Sequence, residues 1–413
     1  MNGELSQFVS DSTAVFRIYL LDSLNAISSE TSNGHSEQFS YFKPKYTYPI
    51  FGDEESIFGY KDLIISLYLS SASLDPFIKL QFSEEVNYKK YGVKPDDIIA
   101  KINEEFPVVP LLNTDEFSSQ LDKQVRFQPH GTLLHKYKVG DRTFQIYRAS
   151  CYDPGFLDYQ NKLQNLMLLF IEGASQLVLE GEDDYFRWLF YLTFECIPVS
   201  GGNDRFVFVG CLNAYKFYSF PDKFRIRVSQ VLVLPPFQKL GHATRLIEAI
   251  HSQLRGDSTV FDLVVEDPSD DFVRLRDFID CRDALQFTCF QRENIKQSFT
   301  KEMEEECRDK LKLHSKQSRR VHEILRLKYT NLVDKAEYRE YRMFIKQRLN
   351  APFMRLIRNH EHARKRLPKS DTETELCLNL FVPSSDRQTE LHKEYSSVES
   401  EYQGIIAKLL KIE

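Results

Sequence analysis

The stretch Val228-Ser-Gln-Val-Leu-Val-Leu-Pro-Pro-Phe-Gln-Lys-Leu-Gly-His-Ala243 decides how this chain is read. A β-branched run ends at Leu234, and Pro235 and Pro236 forbid its continuation as a strand. Leu246, Ile247, Ile250 and Leu254 then recur at helical spacing up to Gly256, the expected C-terminal cap. The reading is strand, turn, helix. Backbone amides at a helix start lack intrahelical partners and the helix dipole favours an anion before them, so the turn Gln238–Ala243 is a candidate diphosphate cradle. Gly241 and Ala243 keep it free of side-chain bulk. An ordinary strand-turn-helix joint would show the same pattern, so the surrounding chain must discriminate.

Working outward, residues 129–270 read as a strand, a helix from about Leu157 to Ser175, and strands at Leu189–Ile197, Phe206–Ala214 and Arg225–Leu234. Ser200-Gly-Gly-Asn-Asp204 is a hairpin-turn signal, and Thr259–Val265 supplies one more strand after the cradle helix. This order specifies a mixed α/β sheet. Residues 1–128 mix strand-like runs, Leu63–Leu69 and Phe77–Phe82, with a helix from about Pro95 to Phe106 and a Ser/Thr-rich connection between Ser28 and Ser40. Residues 271–350 read as helical, with Phe272, Leu275, Phe278 and Ile279 along one face and Val321, Ile324, Leu325 and Leu327 along another. Residues 351–413 form a charged linker and a heptad-like helix near Tyr395–Leu410.

Several function classes are disfavoured by what the chain lacks. No apolar run approaches the ~20 residues needed to span a bilayer, and Met1-Asn-Gly-Glu-Leu-Ser has no basic segment followed by a hydrophobic one, so neither a membrane role nor export is expected. Seven scattered cysteines without a C-x-x-C pair suit a reducing compartment, and the histidines show no ligand spacing. No metal is expected. The net charge of −6 hides a separation: residues 291–370 hold 22 Lys and Arg against 11 Asp and Glu, while the first 130 residues hold 11 basic and 19 acidic side chains. An acidic body can steer a cationic peptide, although solvated surface charge explains the same balance.

With these segments in view, Val228–Ala243 resembles the acetyl-CoA motif of GNAT-type N-acetyltransferases, and more narrowly the type B histone acetyltransferase catalytic subunits. Phe51-Gly-Asp-Glu-Glu-Ser-Ile-Phe-Gly-Tyr-Lys61, Gly131–His135, Phe144–Tyr147, Glu266-Asp-Pro-Ser269 and Leu275–Phe278 resemble the same family, over about residues 40 to 350. The resemblance implies an α/β GNAT core at 129–270, a mixed N-terminal substrate-binding domain at 1–128 and a helical C-terminal domain at 271–350. It implies acetyl-CoA held by Val231, Leu232, Val233, Gln238, Lys239, Leu240, Gly241, His242, Ala243, Thr244 and Ser269. Asp53, Glu54 and Glu55 with Tyr215, Lys216 and Phe217 match segments engaging the histone four tail, where carboxylates pair cations and rings cover backbone. Sheet packing would equally account for Tyr215 and Phe217. The implied partners are the histone three/four complex and a β-propeller (WD40) histone chaperone, with no direct nucleic acid. The implied location is cytoplasm and nucleus.

Acetylating a lysine requires removing its proton, because an ammonium of pKa ~10.4 has no lone pair at pH 7. Glu266 matches the family's general base, and Glu172 and Asp267 match accessory carboxylates. Convergence of the three would raise the pKa of at least one. Unaided, Glu266–Ser269 reads as a strand-ending turn with Asp267 or Ser269 capping the next helix, and Glu172 as a solvated helix-end acid. The implied chemistry is direct attack in a ternary complex, since no cysteine or serine sits in a nucleophile motif. Two rivals stand beside it: a GNAT enzyme acetylating a polyamine or another protein lysine, and a nucleic-acid module using the basic 291–370 segment.

Overall fold

The computed structural model describes residues 5–23, 40–199, 202–366 and 387–412. The Ser28–Ser40 connection, except Ser40, the first two residues of the Ser200–Asp204 turn, and residues 367–386 of the linker, with Cys377, lie outside them. The chain divides into two compact units, residues 1–259 with 264–266, and residues 260–263 with 267–413. The residues anticipated as separate N-terminal and core domains, up to 259, fall in the first.

In the first unit, strands β1 (Phe16–Leu21), β2 (Ile64–Ser70) and β3 (Pro76–Gln81) form a sheet in that order. β1 and β2 are parallel, β2 and β3 antiparallel. Helices α1 (Ile98–Glu105) and α2 (Thr114–Gln124) follow. The Asp97 carboxylate caps α1 by accepting from the Ala100 N–H at 2.9 Å, so the helix starts three residues after the predicted Pro95. Phe117 and Leu121 of α2 bury against Tyr19, Leu21, Tyr68 and Phe77. The Phe77 and Phe117 rings stack at 5.1 Å.

The larger sheet contains β4 (Thr132–Val139), β5 (Arg142–Ala149), β6 (Trp188–Ile197), β7 (Arg205–Ser219), β8 (Lys223–Val233) and β9 (Val260–Val265, of which Val264 and Val265 belong to this unit), in spatial order β9-β8-β7-β6-β5-β4. The single strand expected before the first helix is therefore a hairpin of two, turned at Gly140 with φ +59°. Its sequence hid this because β4 is mostly exposed and lacks clean alternation. Helix α3 (Phe156–Phe170) buries Phe156, Leu163, Leu166 and Met167 and stops five residues before the predicted Ser175, where Ile171 turns extended and Gly173 takes φ +68°. Helix α4 (His242–Arg255) lays Leu246, Ile247, Ile250 and Leu254 on β6, β7 and β8. Gly256 ends α4, but at φ −82°, so the left-handed freedom of glycine is not used there.

β7 and β8 pair closely. At Gly210, opposite Val233, an added Cβ would strike the Leu232 carbonyl oxygen and lie 3.0 Å from the Val233 Cα. Between Asn213 and Ala214 the register shifts: Asn213 faces Gln230 and Ala214 faces Val228, leaving Ser229 as a bulge.

The second unit is helical: α5 (Asp270–Ala284), α6 (Lys301–Leu311), α7 (Ser315–Tyr329), α8 (Lys335–Arg366) and α9 (Arg387–Leu409). Val321, Ile324, Leu325 and Leu327 are buried as expected, and Tyr395, Tyr402, Ile405 and Leu409 enter the same core from α9. The face of α5 corrects the reading. Phe272, Leu275 and Phe278 are half-buried, whereas Asp277 and Asp280 are fully buried with Ile279 and Cys281. Arg320 pairs with Asp277 at 2.6 Å, and Gln317 donates to both carboxylates at 2.9 Å. On α7, Glu323 is paired with Arg348 at 2.7 Å and accepts from the Tyr402 hydroxyl at 2.8 Å. Burial pushes the Glu323 and Asp277 carboxyls above their ordinary values, and the neighbouring arginines oppose that shift.

Gly210→Ala should destabilise the first unit by about 1–3 kcal/mol, because backbone rather than a flexible side chain blocks the new methyl. Denaturant unfolding checks this; a midpoint equal to that of the unmodified chain contradicts it.

Candidate active site

After β8, Leu234 donates its N–H to the Val209 carbonyl at 2.9 Å and Pro235–Phe237 make a tight turn. The Gln238 side chain donates to the Val233 carbonyl at 2.9 Å, which closes the loop back on the strand. Lys239 and Gly241 take φ +62° and +86°, and Lys239 and Leu240 project to solvent. Gly241 is the residue before α4, and no side chain caps the helix start. Arg245 makes the first intrahelical bond, its N–H reaching the Gly241 carbonyl at 3.2 Å. The amides of His242, Ala243 and Thr244 thus head the helix without a side-chain acceptor. Nothing lies within 4 Å of a Cβ built on Gly241, so the demand for glycine is conformational rather than steric.

His242 contributes only its backbone to this turn. The imidazole is 1% exposed, its Nδ1 lies 2.7 Å from the Tyr137 hydroxyl, and its ring packs 4.4 Å from Phe144. Burial, reinforced by nearby Arg142, lowers its pKa to about 4.

The sheet opens beside this helix. Phe224 donates to the Thr259 carbonyl at 2.8 Å and Glu266 donates to the Val228 carbonyl at 2.9 Å, so β9 runs parallel to β8 and ends level with Val228. β8 continues to Val233. Since Leu234 points its N–H at β7, alternation turns the N–H groups of Val231 and Val233 to the side where β9 has already ended. Leu232 faces β7 with its amide and buries its side chain.

Glu266 stands at this opening, 39% exposed. Its Oε1 lies 3.2 Å from an Arg227 guanidinium nitrogen, and the Arg227 guanidinium lies over the Phe217 ring at 4.4 Å. Tyr215 sits edge-on to Phe217 at 4.7 Å and to Trp188 at 5.1 Å. Lys216 faces the other way, its ammonium 4.4 Å from the Phe186 ring, and burial lowers its pKa.

The remaining carboxylates have different settings. Glu172, just past α3, accepts from the Tyr46 hydroxyl at 3.2 Å, while the Gly173 N–H donates to the Tyr48 hydroxyl at 2.7 Å. Glu55 is occupied internally: its Oε1 accepts the N–H groups of Thr47 and Tyr48 at 2.6 and 3.0 Å. Asp53 and Glu54 are exposed. Asp267 follows β9 at φ +32°, and the Ser269 hydroxyl caps α5 by accepting the Phe272 N–H at 3.4 Å, both in the second unit.

Phe217, Arg227 and Glu266 are therefore brought together, and Glu172 is grouped with Tyr46. Arg227, Tyr46 and Tyr48 were not singled out in the sequence. The alternation of Tyr46-Thr-Tyr48 and of Arg225-Ile-Arg227 was the available signal, but partners 126 and 39 positions away leave no local mark.

Comparison with known proteins bears on what this geometry serves. The family model "Histone acetyl transferase HAT1 N-terminus" matches residues 8–172, and the model "Histone acetyltransferase type B catalytic subunit, C-terminal" matches residues 276–327. The human histone acetyltransferase type B catalytic subunit is 37% identical over 374 residues, covering 89% of this chain and 87% of that protein. The rat protein of the same name is 36% identical over the same coverage, and that of Mycosarcoma maydis 33% identical over 75% of each chain. The chain belongs to the histone acetyltransferase type B catalytic subunit family. This type B family member is an acyltransferase, with the mixed α/β architecture described above. The two family models leave residues 173–275 uncovered, the stretch holding α4, the β8–β9 opening and Glu266; the alignment to the human relative extends over 374 residues.

In this type B acyltransferase Gly241→Val should reduce coenzyme A affinity, because a β-branched residue resists φ +86°, whereas Gly241→Asn should bind more nearly like the parent. Calorimetric titration of both variants decides it; equal affinity for Val and Asn would show that the left-handed turn is immaterial.

Proposed function

We propose that this enzyme transfers the acetyl group of acetyl-CoA to lysine side chains in the N-terminal tail of free, newly synthesised histone four. The observation that carries the reading is Glu266 at the end of β9, where β8 outruns its neighbour, in the same unit as the uncapped start of α4. Unsatisfied amides at a helix start, preceded by a left-handed glycine and followed by small Ala243, fit a diphosphate. Gln238 to Thr244 would hold it, with Val231 to Val233 along the pantetheine arm; acetyl-CoA supplies the activated acyl carbon when bound.

The work of the protein is then acid-base and electrostatic. Glu266 accepts the proton of the lysine ammonium, directly or through a water. Arg227 engages Oε1 at 3.2 Å and so orients the carboxylate. The N–H groups of Val231 and Val233 donate to the developing oxyanion, because their own sheet partner has ended. Direct attack is supported by the thiols: burial raises Cys151 and Cys196 to about 11 and Cys211, Cys289 and Cys307 to about 12, and raises Cys281 as well. None of these six, the cysteines among the described residues, is a ready thiolate near neutral pH.

A Gly- and Lys-rich tail suits exposed Asp53 and Glu54 and the Tyr215–Phe217 rings, with Glu172 as a further carboxylate of the same unit. Glu55 acts indirectly, by holding Thr47 and Tyr48. The wider setting proposed with this reading is a histone three/four complex presented by a β-propeller chaperone, in cytoplasm and nucleus, before deposition into chromatin.

Glu266→Gln should lower turnover at pH 7 by about 10²-fold or more while coenzyme A affinity persists. Steady-state kinetics on a histone four tail peptide, with spermidine as the competing amine, measure this. Near-parental turnover removes Glu266 from the mechanism, and a preference for spermidine removes the histone tail.

A further inference from the structure

The first residue of α4 carries a side chain for which the proposed chemistry has no use. His242 is buried, hydrogen-bonded through Nδ1 to the Tyr137 hydroxyl at 2.7 Å, and its Nε2 is buried without a protein partner. Its ring lies 4.4 Å from Phe144 and 6.3 Å from Phe237, the buried residue of the turn after β8. The Arg142 guanidinium covers Phe144 and Phe237 at 5.4 and 5.3 Å and is itself held by a two-pronged pair with Glu195. The loop Gln238–Gly241 is thus suspended between two points, Phe237 and His242, sunk in one aromatic cluster. Van der Waals packing fixes both points in depth. A hydrogen bond is what fixes the rotation of the imidazole, and with it the backbone that bears the ring.

We propose that the Tyr137–His242 hydrogen bond is a positioning device for the diphosphate of the acyl donor, holding the N–H groups of His242, Ala243 and Thr244 aimed out of the helix start. The inference rests on the acetyl-CoA reading above and adds two positioning residues to it. Charge-assisted hydrogen bonds weaken steeply with misalignment, so a first turn free to tilt loses affinity without losing any contact atom. The groups facing the imidazole are Tyr137, Arg142, Glu195 and, over the Tyr137 ring at 5.7 Å, Arg245. Burial and Arg142 keep His242 neutral above about pH 4, so the device acts through direction and not through charge.

The test uses the full chain and coenzyme A as the probe. Tyr137→Phe should weaken coenzyme A binding about 3- to 12-fold by calorimetry, the range for one lost hydrogen bond, while kcat at saturating acetyl-CoA stays within about twofold. Amide hydrogen exchange at residues 242–244 of the free protein should accelerate, with later amides of α4 unchanged. A purely structural role would instead lower melting temperature and spread faster exchange along the helix. His242→Asn, which keeps an acceptor near Nδ1, should bind coenzyme A more tightly than His242→Ala, and this pair decides the matter should Tyr137→Phe fail to fold. Coenzyme A affinity unchanged in Tyr137→Phe, or equal in the Asn and Ala variants, overturns the inference alone. No uptake of coenzyme A by the unmodified chain overturns the acetyl-CoA reading itself.

Discussion

Every backbone amide of β8 needs an acceptor, and β9 ends before it can serve them all. Glu266 makes its bond to Val228 and the strand is finished, whereas β8 runs on to Val233. Two amides, of Val231 and Val233, are left facing an opening, and buried backbone donors do not stay idle in folded proteins. The same termination delivers Glu266 to the edge of that opening. The Ser229 bulge adds local twist where β8 parts from its neighbour, and Gly210 lets β7 remain tight on the other side. The proposed base and the proposed oxyanion donors thus descend from one mismatch in strand length.

Polar groups inside the two units play unlike parts. In the first, Arg142 with Glu195 and Tyr137 with His242 brace a loop that meets solvent. In the second, Asp277 with Arg320 and Glu323 with Arg348 and Tyr402 join helices distant in sequence. Buried pairs of this kind add little net stability over an apolar replacement, but removing one partner strands a charge and costs about 3–5 kcal/mol.

How much could be read beforehand follows from how local each signal was. Val228–Ala243 spelled out strand, turn and helix within one short segment, because prolines, a glycine and helical periodicity all act over a few residues. Residues 132–149 read as one strand since exposed β4 shows no alternation. The buried face of α5 was misjudged because Asp277 and Asp280 count as polar until Arg320 and Gln317, some forty positions later, are known to cover them. For Glu55, expected in a segment that engages a tail, nothing in the sequence signals that its Oε1 is taken by backbone at Thr47 and Tyr48.

The core of the helical unit has a temporal consequence. Tyr395, Tyr402, Ile405 and Leu409 of α9 fill space beside α7, and Glu323 of α7 finds the Tyr402 hydroxyl there. A ribosome emits roughly 60 residues between the end of α7 and the start of α9, about 3–12 s at ordinary elongation rates. During that interval the nascent α7 offers an incompletely shielded acid and an apolar stripe to whatever is nearby. The core of this unit is therefore complete only once α9 has been made.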